Sequence, residues 1–215
     1  MKRILAIALI AAFAFAATAN VAKAQFGIKG GIYTTNLSKL NKDDFRIKDN
    51  IGYQLGILYS HHITPGVVIQ PELLYVARKT IVEAKGATST TSTSDKFEVQ
   101  YLQVPVSLQY GFNLIVARPY VQVVPYLSYM IGKNIKFTDG TYNIEGCRKD
   151  VNKLNGGLGL GFGADLWKFQ FNVRYNWDIT KAGHDDIGNR GSSISYKEWR
   201  ASKQKGLEVS LAFIF

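Results

Sequence analysis

The sequence is poor in the residues that build disulfides and metal centres. It contains one cysteine, Cys147, and three histidines, His61, His62 and His184. A single thiol excludes an intramolecular disulfide, so the fold must hold by pairing and packing alone. No side chain near Cys147 in sequence has the character of its base, which makes it a free loop thiol rather than a nucleophile. His61 and His62 are adjacent, so on extended chain they point to opposite faces and do not share a metal; they read as turn residues. His184-Asp185-Asp186 lacks a second His or Cys and is a weak ligand set. The sequence therefore offers no catalytic residue, no metal ligands and no cofactor site, and the expectation is a protein that is not an enzyme.

Long apolar runs are also missing beyond the N-terminus. The chain opens with Met1-Lys2-Arg3, continues through the apolar stretch Ile4 to Ala17, and reaches Ala22-Lys23-Ala24 before Gln25. This is a basic start, an apolar segment too short for a membrane helix and a small-x-small cleavage site, so residues 1–24 are expected to be a cleaved signal peptide and residues 25–215 one domain. No cysteine stands at the end of the apolar segment, which argues against a lipid anchor. After Gln25 no apolar run approaches the length of a membrane helix. If the protein crosses a membrane, it does so with strands.

What is abundant is alternation of period two. Eight segments show it: Phe26 to Tyr33, Ile51 to Ser60, Val67 to about Val82, Phe97 to Tyr110, Pro119 to Ile131, Asn155 to Ala164, Phe169 to Ile179, and Gly206 to Phe215. In the seventh, Phe169, Phe171, Val173, Tyr175, Trp177 and Ile179 oppose Gln170, Asn172, Arg174, Asn176 and Asp178. The sixth sets Leu158, Leu160, Phe162 and Ala164 against Gly157, Gly159, Gly161 and Gly163. The eighth sets Leu207, Val209, Leu211, Phe213 and Phe215 against Gly206, Glu208, Ser210, Ala212 and Ile214, and its last aromatic suits a ring seated at lipid headgroup level. An even number of strands with one apolar face predicts an all-β, eight-stranded antiparallel transmembrane up-and-down β-barrel, because only closure leaves no unpaired edge in lipid.

The links between strands alternate in length. His61 to Gly66, Gly111 to Arg118 and Asp165 to Lys168 are short, whereas Thr34 to Asn50, Glu83 to Lys96, Gly132 to Lys153 and Thr180 to Lys205 are long. This matches periplasmic turns and extracellular loops, with both termini on the periplasmic side. Without Lys2, Arg3 and Lys23 the formal net charge falls from +10 to +7, and the long links, counted as residues 35–50, 79–96, 133–153 and 181–205, account for all of it. The rest of residues 25–215 is neutral overall. The basic loops are interspersed with acids and have no nucleic-acid motif, so phosphate-rich headgroups, including lipopolysaccharide, are the expected partners and nucleic acid is not.

On the polar parity stand Lys29, Glu72, Arg174 and Glu208, two of each sign, together with Gln54, Gln70, Gln103, Gln109, Gln122, Gln170 and Asn172. An eight-stranded barrel has an interior just wide enough for side chains to fill. The four charges are expected to form a structural ion-pair network within a hydrogen-bonded plug, rather than an ion path. Aromatics fall near both rims: Tyr59, Tyr110, Trp167, Phe213 and Phe215 at the short turns, and Tyr75, Tyr129, Tyr175 and Trp177 at the long loops. Pro71, Pro105 and Pro125 lie inside strands, where bulges or local unpairing are expected. The Ser/Thr tract Ala87 to Ser94 reads as a loop tip.

The chain resembles the outer-membrane β-barrel domain family of Bacteroidetes-type bacteria, often called PorT-like. The resemblance rests on Phe26-Gly27-Ile28-Lys29-Gly30-Gly31, Gln70-Pro71-Glu72-Leu73-Leu74-Tyr75, Tyr101-Leu102-Gln103-Val104-Pro105 and Arg118-Pro119-Tyr120 leading to Pro125-Tyr126. It continues through the glycine-rich sixth strand, Val173-Arg174-Tyr175-Asn176 and the terminal Phe. It makes the in-strand prolines a family habit, and most members of the family have no assigned biochemical activity. The expectation from the whole sequence is a monomeric barrel with a plugged lumen in the bacterial outer membrane, with a structural, adhesive or assembly role through the extracellular loops. An extracellular protein or the secretion machinery would be its partner. The alternatives are an exported soluble barrel holding an apolar ligand and, further off, an outer-membrane lipid-modifying enzyme.

Overall fold

A computed structural model describes residues 24–34, 36–37, 45–48, 51–84, 94–136, 153–180 and 204–215. Residues 1–23, most of the Ser/Thr tract, Cys147 and His184-Asp185-Asp186 lie outside the described residues. Eight long strands follow the predicted order: β1 Ala24–Thr34, β2 Ile51–His62, β3 Val67–Ala84, β4 Ser94–Gly111, β5 Arg118–Lys136, β6 Leu154–Leu166, β7 Phe169–Asp178 and β8 Gln204–Ile214. Each pairs antiparallel with its sequence neighbour, and β1 closes on β8 from Gly27 opposite Ile214 to Tyr33 opposite Glu208. The Phe215 amide donates to the Phe26 carbonyl at 2.8 Å, which sews the two ends together at the short-turn rim.

Alternation along each strand sets the two faces of the wall. On β2, Ile51, Tyr53, Leu55 and Ile57 are exposed while Gly52, Gln54, Leu58 and Ser60 are buried. On β7, Gln170, Asn172, Arg174, Asn176 and Asp178 are buried, and Phe169 and Phe171 are exposed. Apolar outside and polar inside is what a barrel in lipid requires. It is the reverse of what a soluble barrel for an apolar ligand requires.

Two findings correct the sequence reading. The strands β3, β4 and β5 are longer than their apolar alternation, reaching Ala84, Ser94 and Lys136. The first long link also contains two short paired pieces: Asn36–Leu37 pairs with β8, and Phe45–Lys48 pairs with β3. Both features extend the sheet at the long-loop end, where no lipid-facing stripe exists to mark a strand in sequence.

The prolines behave as their missing N–H dictates. Pairing lapses at Tyr59 and Ser60 opposite Pro71 and Gln70, at Glu72 and Leu73 opposite Pro105 and Val104, and at Val106 and Ser107 opposite Pro125 and Val124. The register resumes unchanged after each gap, so these sites are local unpairing without an inserted residue. The one register shift in these three ladders lies between Gln100 and Tyr101, which pair with Gly132 and Met130 and leave Ile131 as the extra residue.

Candidate functional site

The interior polar residues are the candidate site. Midway along the barrel, β1, β3, β7 and β8 place Lys29, Glu72, Arg174 and Glu208 in a ring of alternating charge. Lys29 Nζ lies 2.9 Å from Glu72 Oε2 and 3.0 Å from Glu208 Oε1. Arg174 Nη2 lies 3.2 Å from Glu72 Oε1, and its Nη1 lies 3.7 Å from Glu208 Oε2. All four side chains are buried. Each charge therefore faces two of the opposite sign, the arrangement that best offsets the several kcal/mol or so each ion loses on leaving water. Neutral donors complete the carboxylates: Gln70 Nε2 donates to Glu72 Oε1 at 3.0 Å, and Asn176 Nδ2 donates to Glu208 Oε2 at 3.1 Å.

Towards the short turns the ring continues as an amide ladder. Gln109 donates to Gln70, Gln70 donates to Gln170 and Gln170 donates to Asp165. Arg118 Nη1 closes this layer with a 2.9 Å pair to Asp165 Oδ2 and a 3.1 Å hydrogen bond to Gln109 Oε1. Beside it, Tyr120 and Gln122 both donate to Asn172 Oδ1, and Ser107 donates to Gln122 Oε1. Gln54 and Gln103 are buried as well.

Towards the long loops a different cluster occupies the interior. Arg78 Nη1 pairs with Asp178 Oδ2 at 2.8 Å, and the Tyr126 hydroxyl donates to Asp178 Oδ1 at 2.6 Å. The Arg78 guanidinium also lies 4.8 Å from the centroid of the Tyr33 ring and 5.1 Å from that of Tyr101, within cation–π range.

The glycine stripe of β6 makes room for these side chains. A Cβ at Gly157 would collide with the Tyr126 ring end, one at Gly159 with the Asn176 amide, and one at Gly163 with the Tyr120 hydroxyl. Strand β6 thus gives up its own lumen side chains so that those of β5 and β7 can lie across it.

All four sequence-predicted charges converge on one ring. Sequence reasoning missed the pairs Arg78–Asp178 and Arg118–Asp165. Arg78 and Asp178 stand on the polar parity of their strands, so parity alone was the signal for that pair. Arg118 and Asp165 were assigned to short links, where a charge is unremarkable. Outside residues 35–50, 79–96, 133–153 and 181–205, the five basic residues of the chain from Gln25 on, Lys29, Arg78, Arg118, Lys168 and Arg174, balance five acids, Glu72, Glu98, Asp165, Asp178 and Glu208. Four of each sign are accounted for by the ring and the two pairs.

A family model for the outer membrane protein beta-barrel domain matches residues 15–182. The chain belongs to that family. It is therefore a protein of the bacterial outer membrane, and the apolar outer face of its barrel is the face that meets lipid. Aromatic contacts mark both rims of that face. Phe26 packs on Tyr59 and Phe213 on Phe169 and Phe215 near the short turns; Tyr53 packs on Tyr75 and Tyr175 on Trp177 towards the long loops.

Several solved barrels follow a similar course. Neisserial surface protein A shares 13% identity over 89% of this chain and 97% of its own, with a TM-score of 0.45. OprG from Pseudomonas aeruginosa shares 14% over 90% and 96%, with a TM-score of 0.43. The attachment invasion locus protein Ail of Yersinia pestis shares 10% over 90% and 98%, with a TM-score of 0.39. No curated protein sequence matches the chain.

Proposed function

We propose that this protein is a monomeric outer-membrane barrel with a plugged lumen, acting as a non-enzymatic structural, adhesive or assembly component through its extracellular loops. The observation that supports this reading is the lumen itself: its charges are spent on one another across every layer, from Arg118–Asp165 through the four-residue ring to Arg78–Asp178. An ion path would need charges free to exchange their partners for hydrated ions; here each replaced contact would strand a buried charge. The basic balance of the long loops supports phosphate-bearing lipopolysaccharide as a partner; an extracellular or secretion-machinery protein is the other class of partner in this proposal. The motif order from Phe26-Gly27-Ile28-Lys29 to Val173-Arg174-Tyr175-Asn176 supports a finer placement within the PorT-like group.

Reconstitution into planar bilayers tests the plug. Insertion without sustained conductance is the expected result. Stepwise, long-lived ion currents from purified protein would overturn it.

A further inference from the structure

The turn joining β4 and β5 stands out from its neighbours. Its six residues, Phe112-Asn113-Leu114-Ile115-Val116-Ala117, contain no charge, and the first charge beyond them, Arg118, is directed into the barrel, to Gln109 and Asp165. Phe112, Leu114, Ile115 and Val116 have relative exposures of 64%, 62%, 104% and 82%. A periplasmic turn bathed in water would carry polar residues and turn formers, as the turn after β2 does with Thr64-Pro65-Gly66 beside a single exposed apolar residue, Ile63.

The exposure is built in by hydrogen bonds. The Leu114 amide donates to the Ala117 carbonyl at 2.9 Å, and the Phe112 amide to the Pro119 carbonyl at 3.1 Å. The turn is also tied to the preceding one, with Gly111 N donating to Gly66 O at 2.8 Å and Asn113 Nδ2 to Pro65 O at 2.8 Å. Nor is it separate from the lipid-facing wall. The Phe112 ring packs edge-on against Tyr110 at 5.6 Å, and Tyr110 and Val121 continue the outward apolar face on either side of it. At the same rim, the exposed Trp167 and the Lys168 amino group 5.9 Å above its ring form the aromatic and cationic pair that sits at headgroup level.

We propose that the turn Phe112–Ala117 inserts into the inner leaflet of the outer membrane, placing Leu114, Ile115 and Val116 among acyl chains near the headgroup boundary, and so anchors the barrel on its periplasmic side. The occupant of this apolar surface is lipid, because the surface is continuous with the wall that lipid already covers. The inference rests on the membrane placement of the barrel.

The test is a fluorescence measurement on the full barrel in phospholipid bilayers. Single-cysteine variants I115C, V123C and T64C, each with C147S, take an environment-sensitive dye and are exposed either to lipids brominated high on the acyl chain or to aqueous iodide. Val123, on the outward wall, reports whether the barrel is inserted. The expected result is bromolipid quenching at 115 comparable to that at 123 and at least about twofold greater than at 64. Quenching of 123 by bromolipid but of 115 by iodide alone would overturn the proposal and leave the turn as a surface for a periplasmic protein. Iodide quenching at all three would overturn both the proposal and the membrane placement. If I115C does not fold, as judged by heat-dependent gel mobility, V116C replaces it with the same outcomes.

Discussion

The middle of the lumen and its long-loop end solve the same problem in different ways. In the middle, Lys29 and Arg174 are each shared between Glu72 and Glu208, so every charge has two partners. Nearer the loops, Arg78 pairs with the carboxylate of Asp178 and also lies against the rings of Tyr33 and Tyr101. The ring depends on charge and amides, whereas the upper cluster sets the Arg78–Asp178 ion pair against aromatic faces. The two should therefore fail differently. Loss of one member of the ring leaves two like charges sharing a single counter-charge, whereas loss of Asp178 leaves a cation that still rests against π-systems.

The largest effect should come from the ring. Arg174→Met leaves Glu72 and Glu208 to compete for Lys29 and should destabilise the barrel by about 3–5 kcal/mol, read as a lower midpoint of urea unfolding in detergent. Next, Asp178→Asn keeps an acceptor for Tyr126 and should lower stability by about 2–3 kcal/mol, since Arg78 keeps its cation–π contacts. A loss at Asp178 equal to that at Arg174 would erase the distinction between the two regions. The smallest change is Tyr101→Leu, which removes one π face while keeping an apolar side chain. It should shift the same midpoint by about 1 kcal/mol, and no shift at all would mean that the Tyr101 face does not support Arg78.

Much of the middle region was legible because period-two parity is rigid: once one residue of β7 faces lipid, Gln170, Asn172, Arg174, Asn176 and Asp178 must all face in. The ring followed from four charges sharing that parity. The upper cluster was harder to read, since its tyrosines resemble girdle aromatics until the strand register puts Tyr33 and Tyr101 beside Arg78. The extensions of β3, β4 and β5 were not legible at all. Ser94-Asp95-Lys96 and Lys133-Asn134 lack the apolar alternation that burial in lipid imposes, and only backbone pairing, such as Lys96 opposite Lys136, reveals them. The prolines were read correctly as weak points in the ladder. Their placement in three consecutive interfaces depends on register and could not be read from spacing.

That placement has a mechanical meaning. The lapses at Pro71, Pro105 and Pro125 fall on the interfaces β2–β3, β3–β4 and β4–β5, while pairing from β5 through β6, β7 and β8 to β1 runs without such gaps. The wall is thus a stiff arc joined to a compliant one. A bilayer that thins, thickens or bends around the protein is expected to meet its least resistance along the proline arc, with the half that bears Arg174 and Glu208 keeping its form.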